Sequence, residues 1–412
     1  MPDAPSCRFC GAALTRTFVD LGVMPLANSY IKKADLEAGR EHPLPLHTRV
    51  CEECLLVQAD DPMDAAEIFD DSYAYYSSYS DSWVEHARRY AVAMIDRLGL
   101  GPDSLVVEIA SNDGYLLQHF VARGVPALGV EPAENCAREA KTRGVESEVA
   151  FFNEATAKRL AERGLKADLM LGNNVLAHVP NIRDFLAGFP IMLKPEGTLT
   201  FEFPHLLNLM DQVQFDTIYH EHFSYLSLLI VEKALASVGM RAYDVEELPT
   251  HGGSLRVFCC HKDAAFAEQP GLLHVRAKET EAGLHEIAAY EGFSEKVDAT
   301  RRSFRAFLEK AAADGKTIAG YGAAAKGNTF LNVCGVGADD IVCVFDRNPH
   351  KQDRLLPGSH IPVLDPSALD EVKPDYLLIL PWNLKDEVMT SFSRISQWGG
   401  RFVTAVPETR IF

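Results

Sequence analysis

No stretch of this 412-residue chain stays apolar for the ~20 residues that a bilayer-spanning helix needs, so the sequence offers no candidate membrane segment. A basic n-region and an apolar h-region are both missing from MPDAPSCRFCG, which predicts a cytoplasmic protein. Positive charge is short: 40 Lys and Arg stand against 58 Asp and Glu, for a formal net charge of −18. Nucleic acids and anionic membranes need basic surfaces, so neither is expected as a partner. A small anionic ligand stays within reach, because a few local Lys and Arg suffice to hold one. A disulfide framework is lacking too, since the nine Cys are odd in number and carry no secretion signal with them. What remains, 47% hydrophobic and 24% charged, is ordinary globular composition, and the length fits two or three domains.

Four of the nine Cys form two knuckles, Cys7-Arg-Phe-Cys10 and Cys51-Glu-Glu-Cys54. Each C-x-x-C places two thiolates on one tight turn, and two such turns complete a tetrahedral Zn²⁺ site. A redox reading fits less well, because there are two pairs and neither follows a βαβ pattern. Four thiolates leave no open coordination position, so the ion is expected to be structural, closing a small zinc-ribbon-like unit over residues 1–65.

Strand and helix patterns alternate through the middle of the chain. SLVVEIASNDGYLLQHFVARG reads as a strand over Leu105–Ile109, a turn over Ala110–Gly114 and a helix from Tyr115. ALGVEPA is the next strand, ending in Glu131; ADLMLGNNVLAHV, GTLTFEFPH and HGGSLRVFCC supply further ones. This order predicts a parallel, doubly wound sheet over 66–265. One long helix is expected from about Leu272 to Ala313, leading into a second α/β unit within 266–412 that contains KTIAGYGAAAKGNTFLN, IVCVFDRNPHKQ and PDYLLILPWN. The middle and last units read as a pair of similar topology.

In Val107–Gly114 an acid, small residues and one Gly sit between a strand and a helix, where backbone N–H groups meet a ligand. Glu131, 23 residues beyond Glu108, is placed to accept ribose hydroxyls. NAD uses the same acid, but the loop lacks the pyrophosphate glycines, which favours S-adenosylmethionine. The candidate cofactor residues are Glu108, Ala110, Asn112, Gly114, Tyr115, Glu131, Pro132, Asn173, Asn174 and His178.

Two further stretches concentrate chemistry. Residues 69–83 crowd Tyr73, Tyr75, Tyr76 and Tyr79 among serines, which reads either as packing between domains or as a lid over a ligand. TIYHEHFSYLS, Thr217–Ser227, holds Tyr219, His220, Glu221, His222 and Tyr225. In an extended strand His220 and His222 share a face, which allows a His-x-His metal pair. A buried structural His is a second reading. The third is a chemical centre: His as a base near neutral pH, a carboxylate as an orienting group, and a Tyr hydroxyl for an oxyanion.

Taken together, CRFCG…CEEC, VVEIASNDGYLLQ, FDTIYHEHFSYLS, GYGAAAKGNT, VFDRNPHKQ and LILPWN resemble, in order and over nearly the whole chain, the sugar C-methyltransferases of deoxysugar biosynthesis. The resemblance implies a TDP-linked keto-deoxysugar substrate, methylated at a carbon beside a ketone, with C3′ next to a C4′ ketone as the expected site. It implies His222 as general base, Tyr219 as enolate partner or proton relay, Glu221 as an essential polar group and Tyr76 as an active-site contact, with Tyr73 as the fallback. In the last unit Lys326 and Asn328 follow a glycine-containing turn that opens a helix, and Arg347, Asn348 and Lys351 follow the next strand. With His251 and Ser254 these are the candidate nucleotide-sugar contacts, between the last two units. A monomer is expected. The rival classes are a nicotinamide oxidoreductase acting on a nucleotide sugar and a non-catalytic zinc-ribbon scaffold.

Overall fold

A computed structural model of the chain describes residues 5–60 and 76–412. Its strands form three sheets. In the central one, β4 (Val106–Ile109) lies between β5 (Ala127–Val130) and β7 (Ala167–Asn173). β6 (Glu146–Glu148) extends one side; β8 (Leu193–Pro204), β11 (Ser254–His261) and β10 (Met240–Leu248) extend the other. β4 is buried at all four residues, as a parallel strand covered on both faces must be. The sheet is not wholly parallel, because β11 runs antiparallel to both β8 and β10. Hairpin-like reversal after β10 lets Leu255, Val257 and Cys259 bury in the core without another crossover helix.

The helix Asp81–Leu98 covers this sheet. Ser80 caps it by accepting the Trp83 N–H, and Gly99 ends it in the left-handed region at φ 62°. Tyr90 anchors it, its hydroxyl 2.6 Å from Thr200 Oγ1 on β8. The expected helix from Tyr115 is shorter than its sequence pattern: Ala110–Leu117 turn irregularly and the α-helix spans only Gln118–Val121. The expected long helix is two, Pro270–Glu281 and Phe293–Ala313. Gly283 and Gly292, at φ 75° and 77°, stop one and start the other, and Leu284 and Tyr290 bury the break.

In the last sheet β12 (Ile318–Tyr321) is flanked by β13 (Val344–Phe345) and then β14 (Val363–Leu364) on one side. On the other lie β15 (Tyr376–Ile379), β16 (Arg401–Thr404) and an antiparallel edge strand, β17 (Arg410–Ile411). Counting from β4 and from β12, both sheets place their first five strands in the order 3-2-1-4-5 and then add an antiparallel neighbour. The expected likeness of the two units is therefore present in their strand order.

The N-terminal unit contributes β1 (Arg16–Met24), β2 (Leu44–Val50) and β3 (Val57–Ala59) to a sheet whose fourth strand, β9 (Ser224–Tyr225), comes from the middle of the chain. This unit wedges between the other two. Cys7, Phe9 and Leu56 share a core with Leu226 and Val231, whereas Phe18 and Leu46 share one with Phe293 and Phe330. No described helix is long and apolar enough to cross a membrane.

Candidate active site

The carboxyl ends of β4, β5 and β7 meet at the point where strand order reverses, the usual ligand crevice of an open α/β sheet. Here Ala110, Asn112 and Gly114 all take positive φ, at 55°, 49° and 76°. Left-handed backbone costs a residue with a Cβ about 1–2 kcal/mol, so something must hold this loop. Glu131 does: Asn112 N–H donates to one carboxylate oxygen at 2.8 Å and Ala133 N–H to the other at 2.9 Å. That clamp stands in for the missing glycines. Each Glu131 oxygen keeps a second lone pair, so two acceptor sites remain. Burial raises the Glu131 carboxyl above its ordinary range against these two donors. Burial, with Glu131 and Asp113 close by, raises Glu108 further.

Several polar atoms in the crevice lack protein partners. Glu108 Oε2, both polar side-chain atoms of Asn173 and Asn174 Oδ1 are buried with no hydrogen-bond partner among the described residues. Orphaned buried polar groups cost stability unless a ligand satisfies them. An adenosyl amino acid, with its ribose hydroxyls, amino group and carboxylate, fits this donor and acceptor set. Tyr115 is buried and stacks on Trp83, with ring centres 6.1 Å apart; Pro132 is half-buried beside Glu131. Tyr73 and Tyr75 lie outside the described residues. Tyr76 does not: its hydroxyl accepts from Asn135 Nδ2 at 3.2 Å, just past the Glu131 loop. Ser77 N–H donates to Asn112 Oδ1 at 2.9 Å. The described end of the tyrosine-rich segment, at Tyr76 and Ser77, thus packs onto the cofactor loop itself.

Residues 219–222 form a turn rather than the extended strand that a shared His220/His222 face requires, with His222 N–H donating to the Tyr219 carbonyl at 2.9 Å. The turn separates the two imidazoles. His220 Nε2 donates toward the Leu44 and Pro45 carbonyls at 3.3 and 3.2 Å, in the N-terminal unit. His222 Nδ1 lies 2.8 Å from the Thr217 carbonyl oxygen and its Nε2 lies 2.6 Å from Tyr219 Oη. A carbonyl only accepts, so Nδ1 carries the proton, Nε2 is the acceptor and Tyr219 donates. Burial, then the neighbouring His178, holds His222 well below the usual imidazole range. The His178 ring stands edge-on to it at 4.7 Å and donates from Nδ1 to the Glu221 carbonyl at 2.7 Å. Burial lowers His178 to about 4. The Glu221 carboxylate turns elsewhere, accepting from Asn28 Nδ2 at 2.7 Å with Lys351 as its nearby cation.

The last unit closes this site through Lys326. Its Nζ donates to the His251 carbonyl at 3.2 Å and lies 5.3 Å from the Trp382 ring centre. The His251 ring reaches Asn174, whose Nδ2 is 3.4 Å from its Nε2. Burial, then Lys326, lowers His251 to about 4. Ser254 Oγ donates to the Thr250 carbonyl and Asn328 Nδ2 to the Ala27 carbonyl, at 2.9 and 2.6 Å. Lys351 Nζ donates to the Ala323 carbonyl at 2.6 Å, and the Asn348 side chain accepts the His350 N–H. Arg347 is exposed and lines a cleft with Asp365, Ser367, Phe392 and Arg394. Sequence reasoning passed over Asn28, Trp83, Asp216 and Trp382. Asn28 stands in a stretch without a motif, and Trp83 closes the tyrosine-rich stretch, where the tyrosines drew the reading. Trp382 sits inside LILPWN, so an aromatic at a strand end was a usable signal.

Cys7, Cys10, Cys51 and Cys54 bring their four Sγ atoms within 4.8 Å of one another. Cys7–Cys54 and Cys10–Cys51 are 3.6 and 3.5 Å apart at sulfur. Tetrahedral thiolates at the Zn–S length of about 2.3 Å stand about 3.8 Å apart, so the set fits Zn²⁺.

Three family models match the chain: a zinc binding domain over residues 7–69, a methyltransferase domain over 83–244 and a C-methyltransferase C-terminal domain over 249–407. C-methyltransferase NovU of Streptomyces niveus is 36% identical, over 98% of this chain and 96% of its own. A ubiquinone biosynthesis O-methyltransferase of Bartonella bacilliformis is 28% identical over 23% of this chain and 38% of its own. Among solved structures, magnesium protoporphyrin IX methyltransferase of Synechocystis PCC 6803 with bound SAM covers 48% of this chain and 88% of its own, at 15% identity and a TM-score of 0.33. The family models and the near full-length relative favour neither the oxidoreductase nor the scaffold reading. The near full-length relative and the ordered run of three models agree with a crevice that lacks pyrophosphate glycines, and the chain belongs to the S-adenosylmethionine-dependent C-methyltransferases.

Proposed function

We propose that this enzyme methylates C3′ of a TDP-linked 4-keto-deoxysugar, with His222 as the base. The supporting observation is the dyad in which Thr217 fixes the Nδ1–H tautomer of His222 and Tyr219 Oη donates to Nε2 across 2.6 Å. A neutral imidazole in a buried site is a base ready to accept one proton. Nε2 is the only acceptor on that ring, so the proton leaving the sugar carbon ends there. Tyr219 Oη, displaced from the lone pair, donates to the enolate oxygen as charge develops on it. His178 and Glu221 keep the turn in place. Bound S-adenosylmethionine supplies an electrophilic methyl on sulfur. Glu131 holds its ribose, while Glu108, Asn173 and Asn174 offer unpaired polar atoms to its amino acid end. Ala110, Asn112 and Gly114 shape the loop, with Tyr115, Pro132 and Tyr76 beside it. The nucleotide lies against His251, Ser254, Lys326, Asn328, Arg347, Asn348 and Lys351. On this reading units 1–65 and 66–265 carry zinc and cofactor, and unit 266–412 contributes to the nucleotide site together with His251 and Ser254 of the middle unit.

The test is proton exchange without methylation. Incubated in D₂O with S-adenosylhomocysteine and a TDP-4-keto-deoxysugar, the protein should place deuterium at C3′, read by NMR, and His222→Asn should not. Methylation at an oxygen, or exchange undiminished in His222→Asn, refutes this reading.

A further inference from the structure

We propose that Gln58 is a positioning residue that ties the metal-binding cysteines to the catalytic turn, so that metal loading sets the order of residues 222–226. The inference rests on the placing of the chemistry at 219–222.

Residues 224–225 form a strand of only two residues, which cannot order itself against the entropy of fixing its backbone. β3 supplies the partner: Val57 pairs with Tyr225 and Gln58 with Ser224, and Ala59 N–H donates to the Phe223 carbonyl at 3.0 Å. β3 is itself three residues long and starts directly after the second cysteine knuckle, where Cys51 N–H donates to the Leu56 carbonyl. Gln58 is 1% exposed, and both ends of its amide are committed to the first knuckle. Its Nε2 donates to Cys7 Sγ at 3.2 Å, the direction a metal-bound thiolate requires, and its Oε1 accepts the Arg8 N–H at 2.9 Å. Arg8 then reaches over the Phe223 ring, 5.1 Å from its centre, and donates to the Ala59 carbonyl at 2.7 Å. Both knuckles therefore act on the residues that follow His222. The cofactor loop at 110–115 has its own clamp in Glu131.

The chain purified with its metal is compared with the same chain stripped by a chelator, with metal content measured in both. Hydrogen exchange should rise at 222–226 by roughly 5- to 10-fold, the equilibrium factor of one net hydrogen bond, and stay unchanged at β4 and β12. Affinity for S-adenosylhomocysteine should be retained. Gln58→Leu should give the same local rise with metal still bound, and should lower kcat while leaving KM for S-adenosylmethionine alone. Should Gln58→Leu fail to fold, the stripped and reloaded wild-type chain decides. Unchanged protection at 222–226 overturns the proposal, and so does a rise spread evenly over all three sheets. The exchange readout does not depend on His222 being the base, so failure of that assignment and failure of this coupling are told apart.

Discussion

Tyr219 Oη donates to Nε2 of His222 across 2.6 Å, and their ring centres are 3.9 Å apart. The phenol therefore guards the one lone pair available for proton transfer. Tyr219→Phe keeps the ring and removes the donor. It should lower kcat about 10²-fold, the size expected for one lost oxyanion donor, with little change in KM for the sugar. Full turnover in this variant, measured with the purified nucleotide sugar, would reduce Tyr219 to a packing role.

The pH profile follows from burial. A base must be unprotonated to work, and burial followed by His178 sets His222 well below the ordinary imidazole value of 6.5. Activity should therefore persist as pH falls through 6.5 and fade only as it passes the depressed value. A plot of kcat/KM against pH should show its acid limb below 6.5, and His222→Asn should lose that limb along with about 10²- to 10⁴-fold of the rate. An acid limb above 6.5 would mean that the site favours imidazolium, contrary to the burial of this ring.

Glu131 offers a test of cofactor recognition apart from chemistry. Its two oxygens already hold the Asn112 and Ala133 N–H groups, leaving two lone pairs for ribose hydroxyls. Glu131→Ala loses charged hydrogen bonds of about 1.5–3 kcal/mol, so the Kd for S-adenosylhomocysteine should rise about 10- to 100-fold by titration calorimetry. NAD should not bind either protein. An unaltered Kd would place the ribose elsewhere.

Much of this was legible because it is local. Two C-x-x-C pairs, a buried strand ending before Ser111-Asn112-Asp113-Gly114 and an acid after the next strand each carry their meaning within a few residues. What was not legible depends on distant partners. An extended Tyr219–His222 would set His220 and His222 on one face, but contacts from Leu44, Pro45, Thr217 and Asn28 hold it in a turn. That is why the shared face of His220 and His222 disappears. The helix expected from Tyr115 fails for a related reason: the loop before it spends its residues on positive φ and on Glu131. The break at Gly283–Gly292 was visible as two glycines, yet helical spacing on either side masked it.

Lys326 carries the last prediction. Its half-buried ammonium lies over the Trp382 ring, 5.3 Å from its centre, and Trp382 Nε1 donates to Asp216 Oδ2 at 2.7 Å. Burial lowers Lys326 and raises Asp216, each partly offset by the other's charge. Asp216 precedes Thr217, whose carbonyl orients His222, so the pair joins the last unit's side of the crevice to the proposed base. Lys326 also helps hold the His222 pKa down. Lys326→Met removes that charge. KM for the TDP-sugar should rise about 10-fold or more, as expected for losing a charged hydrogen bond of about 1.5–3 kcal/mol. The acid limb of kcat/KM should move to higher pH, because a cation that opposed imidazolium is gone. Lys326→Arg keeps the charge and should hold the limb in place even if the altered shape raises KM. Affinity for S-adenosylhomocysteine should stay the same in both, since the Glu131 clamp is untouched. A limb that does not move in Lys326→Met would show that the lysine acts on the nucleotide alone.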